Sequence, residues 1–350
     1  MKKTLIVIGD PMMNSSRFEP SLDRFIGYKH LLRKRGIETV FVTYEDITSL
    51  RLPDIKSARV YVLLFFPYNH WNSHIERYDK DSRIYGDISF GRDYSIYLEK
   101  IGRIINKKYK NKDVRFINPP ESCMIDRDKL RTFNALKRAG IKTPDILKVK
   151  TAEMFDKMLD RYGSLYVKPR FGAMGKGITY ADASGVYTNF CFRSNKIINR
   201  LYDYNWRPVR ISCKNRDAFI ATLINRGFIF QRAVNPLVCK DRRFDIRVYA
   251  VCGKTPYIYA KSMPVGSFIT NWSQGGRMED RLFLNRALSA GEIKAVKSIS
   301  SKAAKAINLS FAGVDIIIDR DTRKINVLEI QSFPGYERGF DLMRFLAVNI

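Results

Sequence analysis

The 350-residue sequence predicts a mixed α/β (α+β) chain of two or three packed units. Three observations carry that expectation. Apolar strand-like runs alternate with helical stretches in the first part of the chain. A capped amphipathic helix is followed by a strand that ends in a lysine and a glycine-rich loop. The composition, 45% hydrophobic and 13% aromatic, supports a core rather than a disordered chain.

In order, "TLIVIGD" (4–10) reads as a strand, followed by a helical stretch at 21–35 that Gly36 stops. "ETVFVTY" (38–44) and "ARVYVLLFFP" (58–67) read as further strands, the last closed by proline. Such alternation builds a small parallel α/β unit. Residues 68–95 are polar and aromatic without a clear period. They read as a long loop, a candidate for substrate contact at the open edge of the sheet. His70 and His74 within it read as solvated rather than catalytic. A helix is expected at 94–108, then a strand in "VRFINPPES", where the Pro-Pro pair marks a domain boundary. Residues 126–144 form the capped helix. Asp126 or Asp128 serves as N-cap, Leu130, Phe133, Leu136 and Ala139 recur at helical spacing, and Gly140 and Pro144 end it.

"SLYVKPRFGAMGKGITY" (164–180) is the chemically suggestive stretch. It is not a P-loop, because Ile178 follows Gly177 where that motif needs lysine, and it is not a Gly-x-Gly-x-x-Gly fingerprint. It returns to the β-rich "GITYAD" rather than opening a helix, so no helix N-terminus waits for a phosphate. By itself it reads either as a flexible turn or as an anion-holding loop. Lys168, ending a buried strand, favours the anion, since a buried ammonium is costly unless neutralised.

Residues 185–214 form an insertion rich in aromatics and arginines, with a β-hairpin expected to turn at Ser194-Asn195. Aromatics interleaved with cations can bind nucleic acid, and the same alternation describes an ordinary amphipathic hairpin. The chain carries 62 Lys+Arg against 35 Asp+Glu, a net charge of +27, which points to an acidic substrate, nucleic acid or an anionic surface, or to a lysine-rich proteome. Five scattered cysteines and three histidines argue against a disulfide framework or a zinc site. No apolar run approaches the roughly 20 residues that span a bilayer. The start reads as a strand rather than a signal peptide, so no membrane association and a cytoplasmic location are expected.

The remaining motifs come in a telling order: Lys129 in "DRDKLR", Lys168 with its loop, "GFIFQRAV" (227–234), "RFDIRVYAV" (243–251), "GSFITNWSQGG" (266–276) and "AGVDIIIDRDTRKINVLEIQSFPG" (312–335). Together they resemble the ATP-grasp superfamily, most closely its RimK-like carboxylate–amine ligases, with some similarity to the YheC/YheD branch. The resemblance covers about residues 115–340. It implies a pre-ATP-grasp α/β domain (1–118), a small lid subdomain (119–230) carrying the insertion, and a C-terminal metal- and substrate-binding subdomain (231–350). The nucleotide would lie between the last two.

In such a ligase the loop with Gly172, Gly175, Lys176 and Gly177 closes over the triphosphate of ATP, and Lys168 and Lys129 contact the nucleotide. The backbone of Gln231, Arg232, Ala233 and Val234 would read the adenine. Charge on a transferred phosphoryl group needs metal and fixed cations. Asp315, Glu329 and Gln331 are the expected ligands of magnesium, or of manganese in its place. Arg247 and Lys261 would face the phosphates, and Asn271 would orient the lid of the acyl site. Asp245 would meet the nucleotide or orient Arg247, whereas Arg243 reads as solvated or ion-paired. The family motif is Glu-x-Asn, whereas this chain has Glu329-Ile330-Gln331, one methylene longer. The implied activity is ATP-dependent joining of an amine, such as an amino acid, to a carboxylate through an acyl phosphate. The acceptor is expected to be an acidic protein, peptide or nucleic acid, and a second copy of the chain is an expected partner. A nucleic-acid-modifying enzyme or binder and a non-catalytic ATP-binding coat protein are the rival readings. If the 185–214 hairpin stands beside the cleft, Arg193, Lys196, Arg200, Arg207, Arg210 and Lys214 would make a positive funnel for such an acceptor.

Overall fold

Three β-sheets organise the computed structural model, which describes residues 3–11, 29–77, 83–200, 206–268, 275–334 and 340–350. The first sheet is parallel, with β1 (Lys3–Gly9), β2 (Ile37–Thr43), β3 (Arg59–Leu64) and β4 (Asp113–Phe116) in the order β2-β1-β3-β4. The two inner strands, β1 and β3, are apolar runs buried almost throughout, whereas the edge strands β2 and β4 carry polar, exposed positions. Along β1, Ile6 and Ile8 enter the core beneath the helix Ile88–Lys108, while Leu5 and Val7 pack with Tyr249 and Phe311 of the C-terminal sheet. The N-terminal sheet therefore rests on both other parts of the molecule.

The loop expected at 68–95 is partly helical instead. A helical turn Tyr68–His70 continues as a π-turn Trp71–Ile75, which Glu76 N closes on Trp71 O (2.7 Å), and Trp71 and Ile75 are buried. A π-turn has no 3.6-residue period to detect. The long helix begins at Ile88 rather than 94, capped by Asp87 through Ser89 N (2.9 Å). His70 is packed, not solvated: its ring stacks on Tyr97 at 3.6 Å. Burial first, and then His74, lower its pKa to about 4. The Pro-Pro pair does end one element, yet Pro120 also opens a helix, Pro120–Arg127, where its missing N–H costs nothing. Asp128, not Asp126, then caps the helix Lys129–Arg138. Of the helical stretch expected at 21–35, residues 29–35 are described, and Lys29–Lys34 are helical.

The second sheet is antiparallel and runs β11-β8-β7-β6-β12-β5, from β5 (Ile146–Leu147), β6 (Ser164–Lys168), β7 (Thr179–Asp182), β8 (Gly185–Thr188), β11 (Val209–Arg210) and β12 (Ile229–Arg232). The expected hairpin is present as β9 (Cys191–Arg193) and β10 (Lys196–Ile198). Ser194 and Asn195 both take positive φ, as a two-residue hairpin turn requires. The third sheet contains β13 (Val238–Cys239), β14 (Arg242–Val251), β15 (Lys254–Pro264), β16 (Arg277–Glu279), β17 (Phe311–Ile318) and β18 (Ile325–Gln331), with β14 and β17 at its centre. The helix Ala290–Ala306 covers one face. Phe133 and Leu136 of the helix Lys129–Arg138 join the same core. Among the described residues no helix is long and apolar enough to cross a membrane.

Asn118 pins the first sheet to the third. Its amide nitrogen donates to Phe311 O (2.6 Å) and Ser332 O (3.1 Å), and its oxygen accepts from Phe311 N (2.9 Å). All of these groups are out of water, so removing the side chain strands a buried donor and two carbonyls. Asn118→Ala should lower unfolding free energy by about 3 kcal/mol, read as a reduced urea midpoint at unchanged slope.

Candidate nucleotide and metal site

A single cleft between the second and third sheets gathers most of the chemistry. Strand alternation decides which side chains reach it. Tyr166 and Lys168 enter from β6, Arg243 and Asp245 from β14 with the core residue Phe244 between them also at the wall, and Asp315 and Ile317 from β17. On β18 the lining residues are adjacent, Leu328 and Glu329. The reason is a bulge: Asp315 pairs with Glu329 and Ile316 with Val327, so Leu328 is the extra residue and turns inward. Lys129, Gly172, Gly175 and Lys176 close the cleft on one side, and Gln231, Arg232 and Val234 on another.

The electrostatics are asymmetric. Asp315 and Glu329 sit opposite each other on neighbouring strands. Arg247 donates to both Asp315 oxygens, from Nε at 2.5 Å and Nη2 at 2.9 Å, and Lys261 adds a contact of 3.0 Å. Burial would raise Asp315, but Arg247 and then Lys261 overcome it and hold the carboxyl at about 2. Burial likewise opposes ionisation of Glu329, and Lys129 at 3.1 Å keeps its pKa below the usual carboxylate value. Lys168 makes no ion pair among the described residues, and burial, only partly opposed by the charge of Glu329, pushes its ammonium down to about 8. Here is one half-buried cation left for an incoming anion.

Asp315 and Glu329 are both ionised and both oxygen donors, and Gln331 lies beside Glu329, its Nε2 at 3.3 Å from Oε2. Among the described residues there is no cluster of three or more His, Cys, Asp or Glu to cage a metal. Two carboxylates without a cage suit magnesium, which binds through one or two carboxylates and takes its other ligands from phosphate and water. The donor set fits that ion arriving with a nucleotide.

The glycine loop rests on the N-terminal domain, with more anchors than its sequence promises. Phe171 is buried against Gly91, where a Cβ would come within 2.2 Å of its ring. Gly177 takes φ +73 and its missing Cβ leaves room for Phe190. Tyr85 Oη exchanges hydrogen bonds with the Ala173 backbone (3.1 and 3.2 Å), and Lys176 pairs with Glu76 at 2.7 Å. Lys129 Nζ donates to Gly172 O, and Arg170 forks onto Asp128 at 2.6 and 2.7 Å.

Of the residues expected at the site, Gly177 and Ala233 do not line the cleft; Arg247, Lys261 and Gln331 stand behind its carboxylates; Asn271 lies outside the described residues. The adenine-reading expectation narrows. Arg232 N donates to Asp145 O and Ala233 N to Ser164 O, whereas Val234 N has no backbone acceptor among the described residues. Gln231 carries a buried side-chain amide with neither atom hydrogen-bonded. Asp245 lies 3.4 Å from Lys261, and Arg247 forks onto Asp315. Two further expectations are corrected. Arg243 lines the cleft, makes no ion pair among the described residues, and donates to Ser267 O (2.5 Å) and Tyr166 Oη (3.4 Å). Its spacing from Asp245, like that of Tyr166 from Lys168, was the overlooked signal. Arg210 lies in β11 and Arg207 just before it, three strands from Lys168, roughly 14 Å away at ordinary strand spacing, so that end of the insertion is not beside the cleft.

Two antiparallel sheets closing on one cleft, one bearing a glycine loop and the other paired carboxylates, are the arrangement of the ATP-grasp fold. The chain belongs to the YheC/D-like ATP-grasp family, whose model matches residues 114–343. It is 26% identical over 204 residues to the tetrahydromethanopterin:alpha-L-glutamate ligase of Methanosarcina acetivorans, covering 58% of this chain and 54% of that protein. It is 24% identical over 242 residues to a probable alpha-L-glutamate ligase of Stenotrophomonas maltophilia, covering 69% and 68%. Solved structures of similar fold include the ATP-grasp ligase PsnB with its minimal precursor, Mg and ADP (TM-score 0.55, 17% identity, 98% and 96% coverage). Another is the D-cycloserine synthetase DcsG (TM-score 0.57, 14% identity, 99% and 98% coverage).

The lowered pKa of Lys168 has a sign that can be checked. An unfolded lysine titrates near 10.4, so between about 8 and 10.4 the unfolded chain binds the extra proton and folding stability rises with pH. A phosphate needs the protonated form. ADP affinity should be flat up to about pH 8 and fall above it, and calorimetry of Lys168→Arg should show that fall removed.

Proposed function

We propose that this protein is an ATP-dependent carboxylate–amine ligase. The observation that carries the reading is Lys168, which makes no ion pair among the described residues, facing two carboxylates that are already matched by Arg247, Lys261 and Lys129. Such a site gains by taking in a polyphosphate, and the names of the relatives support an amino acid as one substrate.

In this reading Ile317, Leu328 and Val234 bound the base, and the free amide of Gln231 serves its polar edge. Lys168, Lys176 and the loop backbone hold the phosphates. A carboxylate oxygen of the acceptor attacks the γ-phosphorus, the bond to the β-phosphate oxygen breaks, and ADP departs. The amine then adds to the acyl carbon, phosphate leaves, and the amine loses a proton. Magnesium held by Asp315 and Glu329 would neutralise phosphate charge, with Gln331 beside them as a further oxygen donor. Arg247 and Lys261 keep Asp315 ionised and oriented, Lys129 does the same for Glu329, and fixed cations then serve the charge that develops in transfer without reorganising. A net charge of +27 favours an acidic acceptor.

The test is ADP and phosphate release that requires a carboxylate and an amine together, with product masses read across an amino-acid panel. Lys168→Met should cut turnover roughly a hundredfold or more while leaving the melting temperature of the nucleotide-free chain unreduced. ADP formation that ignores both co-substrates would exclude the ligase. In the same assay Gln331→Asn should lower the magnesium concentration for half-maximal rate, because the shorter side chain sets its carbonyl closer to octahedral geometry.

A further inference from the structure

The helix Pro120–Arg127 ends in an arginine that the nucleotide site does not use. Its guanidinium carbon lies 4.2 Å from the Trp71 ring centroid, 5.1 Å from Phe66 and 5.6 Å from Tyr94. An aromatic wall of this kind fixes the plane of a guanidinium and leaves its N–H edges to serve an acceptor in that plane. Among the described residues no protein acceptor is there: Arg127 forms no ion pair, and its Nε is buried without a partner. A donor left so is costly unless a ligand satisfies it.

The position of Arg127 says what could reach it. The neighbouring Asp126 binds Ser332, accepting from its N at 2.9 Å, and Ser332 directly follows Gln331 at the end of β18. Phe333 packs on Phe66 at 5.7 Å, just beyond β3. On the other side, Glu76 accepts from Trp71 Nε1 (2.7 Å) and from Lys176 of the glycine loop (2.7 Å). Arg127 thus stands where the end of β3 meets the end of the strand carrying Glu329. In the first sheet β2 lies on one side of β1 and β3 on the other, so the strand order reverses there. The crevice beyond the carboxyl ends of parallel strands at such a reversal is where open α/β sheets take their ligands.

We propose that Arg127 grips a carboxylate of the acceptor, so that the acceptor carries a second acidic group besides the one that reacts. This rests on the ligase reading. A guanidinium fork matches a carboxylate with two parallel hydrogen bonds, and the aromatic wall gives it the preorganisation a lysine would lack. The acceptor class is then a polycarboxylate, such as a glutamate-rich peptide, with one acid at Arg127 and another beside Lys168 and Glu329.

The experiment measures binding, so it stands apart from turnover. With ADP and magnesium present, triglutamate and triglutamine are titrated into the wild-type chain, Arg127→Lys and Arg127→Gln by calorimetry. Wild type should prefer triglutamate by about tenfold or more, as a charge-assisted hydrogen-bonded pair implies. Arg127→Gln should erase the preference, Arg127→Lys should keep part of it, and ADP affinity should stay the same in all three. Equal affinity of wild type for the two peptides would overturn the assignment. So would a preference that survives in Arg127→Gln, or a loss of ADP affinity in parallel, which would mark a purely structural arginine. A chain that shows the preference yet forms no ADP would sink the ligase reading alone.

Discussion

Two carboxylates placed opposite each other on neighbouring strands constrain everything around them. At that spacing, with Cβ atoms about 5 Å apart, like charges destabilise a sheet unless cations intervene. Here the cations come from different elements: Arg247 from β14, Lys261 from β15 and Lys129 from the first turn of a helix. Neutralising Asp315 and Glu329 therefore fixes the centre of the third sheet and the seat of that helix together. It also explains why Lys168 is left over. The charge pattern is local, closed around Asp315 and Glu329 and open around Lys168.

The outline of this arrangement was legible in the sequence where physical signals are simple. Buried parallel strands announce themselves as apolar runs, Asp128 and Gly140 bracket a helix by capping chemistry, and Ser194-Asn195 can both enter the left-handed region. The hidden parts share a cause, which is dependence on partners distant in the chain. Trp71–Ile75 is a π-turn without a recognisable period, packed by Phe66 and Tyr94. Leu328 enters the cleft only because the pairing of β17 with β18 slips there. Arg243 looked like a surface charge because its role depends on Tyr166, brought to it from another sheet.

Charge likewise means different things in different places. The surplus that gives the chain its net charge lies largely outside the cleft, and the arginines beside β11 are spread along a sheet edge. Arg200 is tied down by donating to Asn189 O at 2.9 Å. Surface cations of that sort act at long range and are screened by salt within roughly 8 Å. Lys168 and Arg127 differ in kind, being partly removed from water and held against aromatic rings. Composition counts them equally, and only the fold separates a diffuse field from a fixed recognition group.

The glycine loop shows how far the N-terminal domain reaches into the rest of the molecule. The loop belongs by sequence to the second sheet, yet Phe171 lodges against Gly91, Ala173 leans on Tyr85 and Lys176 is gripped by Glu76. All three supports come from before the Pro119-Pro120 break. A fragment cut at that break would keep the family's matched region almost whole and lose the floor on which its phosphate loop stands. The part of the chain that sequence comparison sees least well is thus a structural support of the candidate site, not a separable appendage.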